Sequence, residues 1–336
     1  MCALRILLTH TPEMRQNYFG EQALASLRGV GEVRLHDGRE PLDTPGLIAA
    51  AAGCQIVVAD RATACDGNAL AQLPELSAVC RVAVDIRNID VAAASAHGII
   101  VTHAGRTWVP AVSELVIGLM LDAARGISRA NGAYKRGEMP EVAMGRQLAG
   151  STAGIIGYGP LGRSVAELVL AFGMHVLVSD PYVTVEHDRI EQVDLPDLLR
   201  RAHFVLPLAA ATAETENLID ANALSRMRAD AFLINLSRGN LIEESALYNA
   251  LEEKRIAGAA IDVGRAPDQM PSPRLAQRRD VVATPHIGGL TRAAVEGQAL
   301  ETVAQVATLA RGEVPAGSVN ADKASRLARL VAAEGA

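Results

Sequence analysis

The segment TAGIIGYGPLG, which starts at Thr152, constrains the fold of this chain more than any other. An apolar β-type run leads into a Gly-x-Gly-x-x-Gly turn, and a helical pattern begins near Pro160, the order that opens a βαβ unit in a parallel sheet. Gly157 allows the tight turn, Gly159 lets a pyrophosphate approach the backbone, and Gly162 lets the helix pack on the strand. Free N–H groups at the helix start then face the phosphates. Gly157, Tyr158, Gly159, Pro160, Leu161 and Gly162 are therefore expected to hold a dinucleotide.

Short runs rich in Val, Ile and Leu alternate with helical patterns on both sides of this segment, as in a parallel sheet covered on both faces. A first series comprises Arg5 to Thr9, Gln55 to Ala59, Ala78 to Val84 and Ile99 to Thr102. A second series of six starts at Thr152, His175, His203, Ala231, Gly258 and Val281. With 336 residues and roughly 100 to 200 per domain, the chain is expected to form two domains. The expected fold is α/β, with two Rossmann-like doubly wound parallel-sheet domains and a cleft between them. Between the series, Val112, Leu115, Val116, Leu119, Met120 and Ala123 repeat at the spacing of one buried helix face. The polar stretch from Ser128 to Gln147, with Gly132, Gly137, Pro140 and Gly145, predicts an extended arm. A last helix is expected over Thr291 to Ala310, and the tail from Lys323 has no evident role.

Composition excludes several function classes. Lys and Arg number 32 against 38 Asp and Glu, and aromatic residues make up 3%, so a nucleic-acid surface finds no support. Val112 to Ala124 is interrupted by Glu114 and Asp122 before it reaches the roughly 18 uncharged residues of a spanning helix. The start, MCALRILLTH, reads as a first strand and not a signal peptide. Cys2, Cys54, Cys65 and Cys80 form no CxxC pair and no disulfide framework, and no metal-ligand spacing is present. The expectation is a soluble cytoplasmic protein.

Three further positions carry chemistry. Asp180 ends the strand after the glycine turn, 18 residues past Gly162, close to the ~20 expected of the acid that bonds the adenosine ribose. With no cation in the residues directly after it, this carboxylate favours NAD over NADP; the alternative is an Asp that caps a turn. Arg238, in the run INLSRG, stands just past a buried strand, the edge where open α/β sheets bind ligands. Its planar guanidinium can grip a carboxylate with two bonds; a surface pair with Glu243 or Glu244 is the alternative. His286, in TPHIGG, sits at another strand end, and imidazole suits proton transfer to a carbonyl near neutral pH. An ordinary core or surface histidine is the competing reading.

Together these residues resemble the D-isomer-specific 2-hydroxyacid dehydrogenase family. The resemblance runs from about Cys80 to Arg292 and rests on ordered motifs: Asn88-Ile89-Asp90, Ser113-Glu114-Leu115, the glycine turn, Ile234 to Gly239, Gly258 to Val263 and Thr284 to Gly289. It implies a substrate domain formed by residues 1–101 and 286–336, an NAD-binding Rossmann domain over 102–285, and a homodimer through the latter. It also implies that Arg238 holds a 2-oxo acid, that His286 passes a proton to its carbonyl oxygen, and that Asp262 lies by the nicotinamide and helps to fix it.

Two stretches depart from the family pattern. The Glu that orients the histidine in relatives is replaced by Pro267, 29 residues past Arg238, which leaves Asp268 or Gln269 to take its place. The glycine-rich turn that binds the substrate carboxylate in relatives reads Val84-Asp85-Ile86-Arg87, with Asp85 in place of a Gly and Arg87 in place of an Asp. Val84, Asp85 and Arg87 are expected to contact a 2-oxo or 2-hydroxy acid with an unusual side chain. Two functions follow: an NAD-dependent oxidoreductase, or a catalytically weak NAD(H)-binding redox sensor of the corepressor type.

Overall fold

Runs such as Ile56–Ala59 and Phe204–Pro207 are buried at every residue, as strands covered on both faces must be. The structure is a computed structural model that describes residues 4–332; Cys2 and the rest of the first three residues lie outside them. It divides into two units, Val109–Leu290 and the described residues before and after that stretch.

The first unit holds a five-stranded parallel sheet of β1 (Arg5–Leu8), β2 (Glu32–Leu35), β3 (Ile56–Ala59), β4 (Ala78–Arg81) and β5 (Ile100–His103), in the order β2-β1-β3-β4-β5. On one face pack Phe19, Leu24 and Leu27 with Val303, Val306 and Leu309 of the helix Arg292–Ala310. Leu47, Leu70, Leu73 and Ile99 fill the other. The tail contributes to this core: Leu330, in the short helix Ala328–Ala332, is buried, and the Arg326 guanidinium donates to the carbonyls of Leu73 and Leu76.

The second unit holds β6 (Thr152–Ile156), β7 (His175–Ser179), β8 (Ile190–Gln192), β9 (Phe204–Pro207), β10 (Phe232–Asn235), β11 (Gly258–Ile261) and β12 (Val281–Ala283). Their order is β12-β11-β10-β9-β6-β7-β8, all parallel. The chain moves one way from β6 and the other way from β9, so the crevice between these two strands is the topological switch point where such sheets bind ligands. The expected amphipathic helix spans Val109–Arg125, burying Val112, Val116, Leu119 and Met120, and packs along Pro160–Ala171. The expected arm begins later than its composition indicates, because a helix continues over Ile127–Lys135. Residues 138–147 then have no regular structure, and Met139, Val142 and Met144 are exposed.

Two strands escaped the sequence reading, β2 and β8. Both are edge strands with charged residues, and β2 alternates between exposed and half-buried positions, so neither forms an apolar run. The unit boundaries also differ from the expected ones, by seven residues at Trp108/Val109 and five at Leu290/Thr291. The physical reasons are local. β5 pairs with β4 through His103, whose carbonyl accepts from Gln305, and His286 is hydrogen-bonded to Asp262 in the second unit. Among the described residues, no helix is long and apolar enough to cross a membrane.

Candidate active site

Because all seven strands of the second unit run the same way, the ends of β6, β7, β10, β11 and β12 lie on one edge of its sheet. The glycine turn leaves β6 there. Gly157 has φ +95°, a left-handed conformation open to glycine, and a Cβ on it would stand 2.6 Å from the Ala209 Cα after β9, across the switch point. At Gly162 an added Cβ would stand 2.1 Å from the Gly157 carbonyl oxygen, so only hydrogen fits between helix and turn. A Cβ at Gly159 would meet nothing within 4 Å, which leaves open space above the helix. Gly159 caps that helix with no side-chain hydrogen bond, so its first-turn N–H groups can take the phosphates of a dinucleotide. Tyr158, Pro160 and Leu161 complete the turn, with Pro160 at a helix start that suits it. These residues fit a dinucleotide.

Asp180 follows β7 and accepts the Tyr158 N–H at 2.7 Å and the Tyr182 N–H at 2.9 Å. It therefore caps the glycine turn, as the alternative reading anticipated. A carboxylate offers about four acceptor sites, so this bonding leaves capacity for ribose hydroxyls.

Asp262, directly after β11, is buried. Its carboxylate accepts the Thr284 hydroxyl at 2.6 Å, the Ile287 N–H at 2.9 Å and the Gly288 N–H at 2.8 Å, and its carbonyl accepts the His286 N–H at 3.0 Å. Every one of these bonds goes to the loop that carries His286. Asp262 thus holds the histidine loop, a function the sequence reading had not given it. His286 has φ +55°, a conformation that costs a non-glycine residue about 1 kcal/mol or more. The four bonds maintain it.

The His286 ring is half-buried, and its Nδ1 lies 2.7 Å from the main-chain carbonyl oxygen of Asp268. The Gln269 Oε1 is buried without a hydrogen-bond partner among the described residues, and Asp268 presents its backbone oxygen to the ring. Pro267 begins the short 3-10 turn that contains both residues.

Arg238 follows β10, and its Nη1 donates to the Ser237 carbonyl at 2.8 Å. Fully buried Asn235 shapes this turn, with its amide donating to the Arg238 carbonyl and its Oδ1 accepting the Ser237 N–H. A Cβ on the next residue, Gly239, would lie 2.2 Å from the Gly264 carbonyl oxygen. The segments after β10 and β11 are therefore in close backbone contact.

Val84, Asp85 and Arg87 belong to the first unit, in the loop after β4. Asp85 and Arg87 form a two-pronged pair, Nε to Oδ1 at 2.9 Å and Nη2 to Oδ2 at 2.6 Å, with the Arg87 side chain 74% exposed. The Asn88 amide ties the loop to β3 through the carbonyls of Asp60 and Thr63. Cys54, Cys65 and Cys80 are buried free thiols, and burial pushes those of Cys65 and Cys80 up to about 12, far from nucleophilic use.

Two contributions were missed by sequence reading: Thr284, whose hydroxyl bonds Asp262, and the Asp268 carbonyl. Thr284 lay inside a quoted motif, but a backbone oxygen leaves no side-chain signal.

Residues 117–288 match the family model described as D-isomer specific 2-hydroxyacid dehydrogenase, NAD binding domain. The chain is 34% identical over 305 residues to a D-3-phosphoglycerate dehydrogenase of Methanocaldococcus jannaschii, covering 89% of this chain and 57% of that protein. It is also 34% identical to a hydroxypyruvate reductase of Thermotoga maritima, over 69% of this chain and 76% of the relative. The chain thus spans little more than half the length of the D-3-phosphoglycerate dehydrogenases it matches. A solved structure of a Thermus thermophilus protein superposes with a TM-score of 0.82 at 29% identity, covering 94% of this chain and 99% of the other.

Proposed function

Because the chain belongs to the D-isomer specific 2-hydroxyacid dehydrogenase family and carries its NAD-binding domain, we propose that it is an NAD-dependent oxidoreductase interconverting a 2-oxo acid and a D-2-hydroxy acid. One observation carries this reading: Arg238, Asp262 and His286 leave strands of the same sheet edge as the dinucleotide turn. NAD supplies the hydride acceptor or donor. Arg238 binds the substrate carboxylate and polarises its carbonyl, while His286 takes the hydroxyl proton in oxidation and returns it in reduction. Asp262 keeps the histidine loop in place beside the nicotinamide.

In this reading the orienting Glu of the family is missing and Pro267 stands at its position. The first unit serves as the substrate domain, where Val84, Asp85 and Arg87 select a larger polar or dicarboxylic side chain, because the exposed Arg87 guanidinium, paired with Asp85, keeps donors that such a side chain can bond. The protein acts in the cytoplasm as a homodimer through the NAD-binding unit. The redox-sensor alternative gains nothing from the relatives, which bear enzyme names.

A panel of 2-oxo acids with NADH, followed by nicotinamide absorbance, tests the reading. Turnover of larger polar acids above pyruvate, lost in Arg238→Ala and lowered chiefly in kcat by His286→Ala, is the expected result. Tight NADH binding with no acid reduced would leave the sensor.

A further inference from the structure

The loop Gly264 to Pro271 is built around its own backbone. The Gly264 N–H donates to the Gln269 carbonyl at 2.8 Å, and the Ala266 N–H to the Met270 carbonyl at 3.1 Å. Asp268 and Gln269, at its tip, both adopt left-handed conformations, with φ +56° and +58°. Two successive non-glycine residues rarely do so, since a side chain in that region crowds its own carbonyl. The result of this turn is that the Asp268 carbonyl oxygen stands 2.7 Å from Nδ1 of His286, itself held at φ +55° by the Asp262 clamp.

We propose that the main-chain carbonyl of Asp268 is the positioning group of His286, in place of a side-chain carboxylate, and that it locks the neutral ring in the Nδ1–H tautomer. A carbonyl oxygen only accepts, so the hydrogen of this bond belongs to the ring in both charge states. Nε2 is then the sole proton-exchanging atom. In oxidation it takes the substrate hydroxyl proton and the ring becomes imidazolium; in reduction that same proton passes to the carbonyl oxygen and the ring returns to neutral. The Asp268 side chain plays no part in this bond. This bond itself carries no counter-charge, so in it the loop geometry supplies the orientation.

The inference rests on the oxidoreductase reading only for its catalytic consequence, because the tautomer can be measured without substrate or cofactor. The full chain labelled with ¹⁵N-histidine, recorded in long-range ¹H–¹⁵N spectra above the titration range of the ring, reports which nitrogen carries the hydrogen; His286→Gln assigns the signals. Wild type is expected to show Nδ1 protonated and Nε2 bare. Asp268→Asn and Asp268→Gly, which both tolerate positive φ, should keep this signature, whereas Asp268→Val, whose branched side chain disfavours that conformation, should lose it. An Nε2–H signature in wild type overturns the proposal, and so does loss of the Nδ1–H signature in Asp268→Gly, which would assign the role to the side chain. Failure of every oxo acid to turn over, with the signature intact, would instead count against the proposed reaction.

Discussion

Oδ2 of Asp262 accepts the Gly288 N–H at 2.8 Å, and a Cβ on Gly288 would come within 3.0 Å of the same oxygen. Carboxylate and backbone are thus in contact with no room for a side chain, two residues beyond the histidine that the site depends on. Asp262→Asn replaces one acceptor oxygen with an NH₂ group that faces N–H donors. Losing such a buried bond costs about 1 to 3 kcal/mol, so kcat should fall at least tenfold, with the dissociation constant for NADH altered less. Steady-state kinetics together with fluorescence titration of NADH check this expectation.

Cofactor choice follows from the bonding of Asp180. Under the reading that Asp180 meets the adenosine ribose, its negative charge repels a 2′-phosphate; its carboxylate is held by the N–H groups of Tyr158 and Tyr182. NADH should bind at least about tenfold more tightly than NADPH, a difference of about 1.4 kcal/mol. Asp180→Ala should narrow the gap from both sides. Direct titration of the two reduced cofactors measures it.

Stability should depend on pH through His10 in the first unit. Burial pushes its imidazole from 6.5 down to about 4, with Arg81 and Arg15 adding to the effect and Asp60 opposing it; Nδ1 has no hydrogen-bond partner among the described residues. The unfolded chain therefore takes up a proton on this residue before the folded one does. The His10 contribution is fully present above about pH 6.5 and is lost as pH falls toward 4, reaching about 3 kcal/mol at most. Asp60 acts in a lower window. Burial raises its carboxyl, but hydrogen bonds from Thr63 and Thr9 outweigh this and hold it below the ordinary carboxylate value. Urea unfolding at intervals between pH 7 and 4.5 should show the decline, and His10→Gln should flatten it.

A carboxylate introduced near the His286 ring should move the working range of the proposed reaction. Pro267→Glu places one immediately before the carbonyl that holds His286, and an opposite charge within about 4 to 6 Å favours imidazolium. Reduction of the oxo acid, which needs the protonated ring, should persist to a pH about one pH unit higher, and the acidic limb of the oxidation profile, where the neutral ring is lost, should shift upward the same way. Profiles of kcat in both directions test the sign.

Much of this was legible in the amino-acid sequence because it depends on side chains at strand ends. Apolar runs such as Ile56–Ala59 declared themselves, and the glycine turn indicated its strand and its helix. Arg238, Asp180 and His286 each follow a buried strand, and parallel topology carries all three to one edge. The edge strands β2 and β8 were not legible, since half-exposed charged residues break their apolar pattern. Nor was the histidine's partner. The segment after Asp262 shows Pro267 where an acid is expected, and it points to the side chains of Asp268 and Gln269 as substitutes. What the fold uses is a backbone oxygen turned by two left-handed residues. Asp262 was expected to lie by the nicotinamide; its partners lie 22 to 26 residues further on, so its grip on the loop emerges only in three dimensions.

The stereochemistry of the product tests the central claim most directly. NADH and the best 2-oxo acid of the panel should be converted by the wild-type chain, and the 2-hydroxy acid resolved by chiral chromatography. Hydride delivered to one face of a carbonyl held by Arg238 and protonated by His286 should give the D enantiomer alone, with no product from Arg238→Ala in the same time. An L or racemic product, or equal product from the Arg238→Ala chain, would contradict the account.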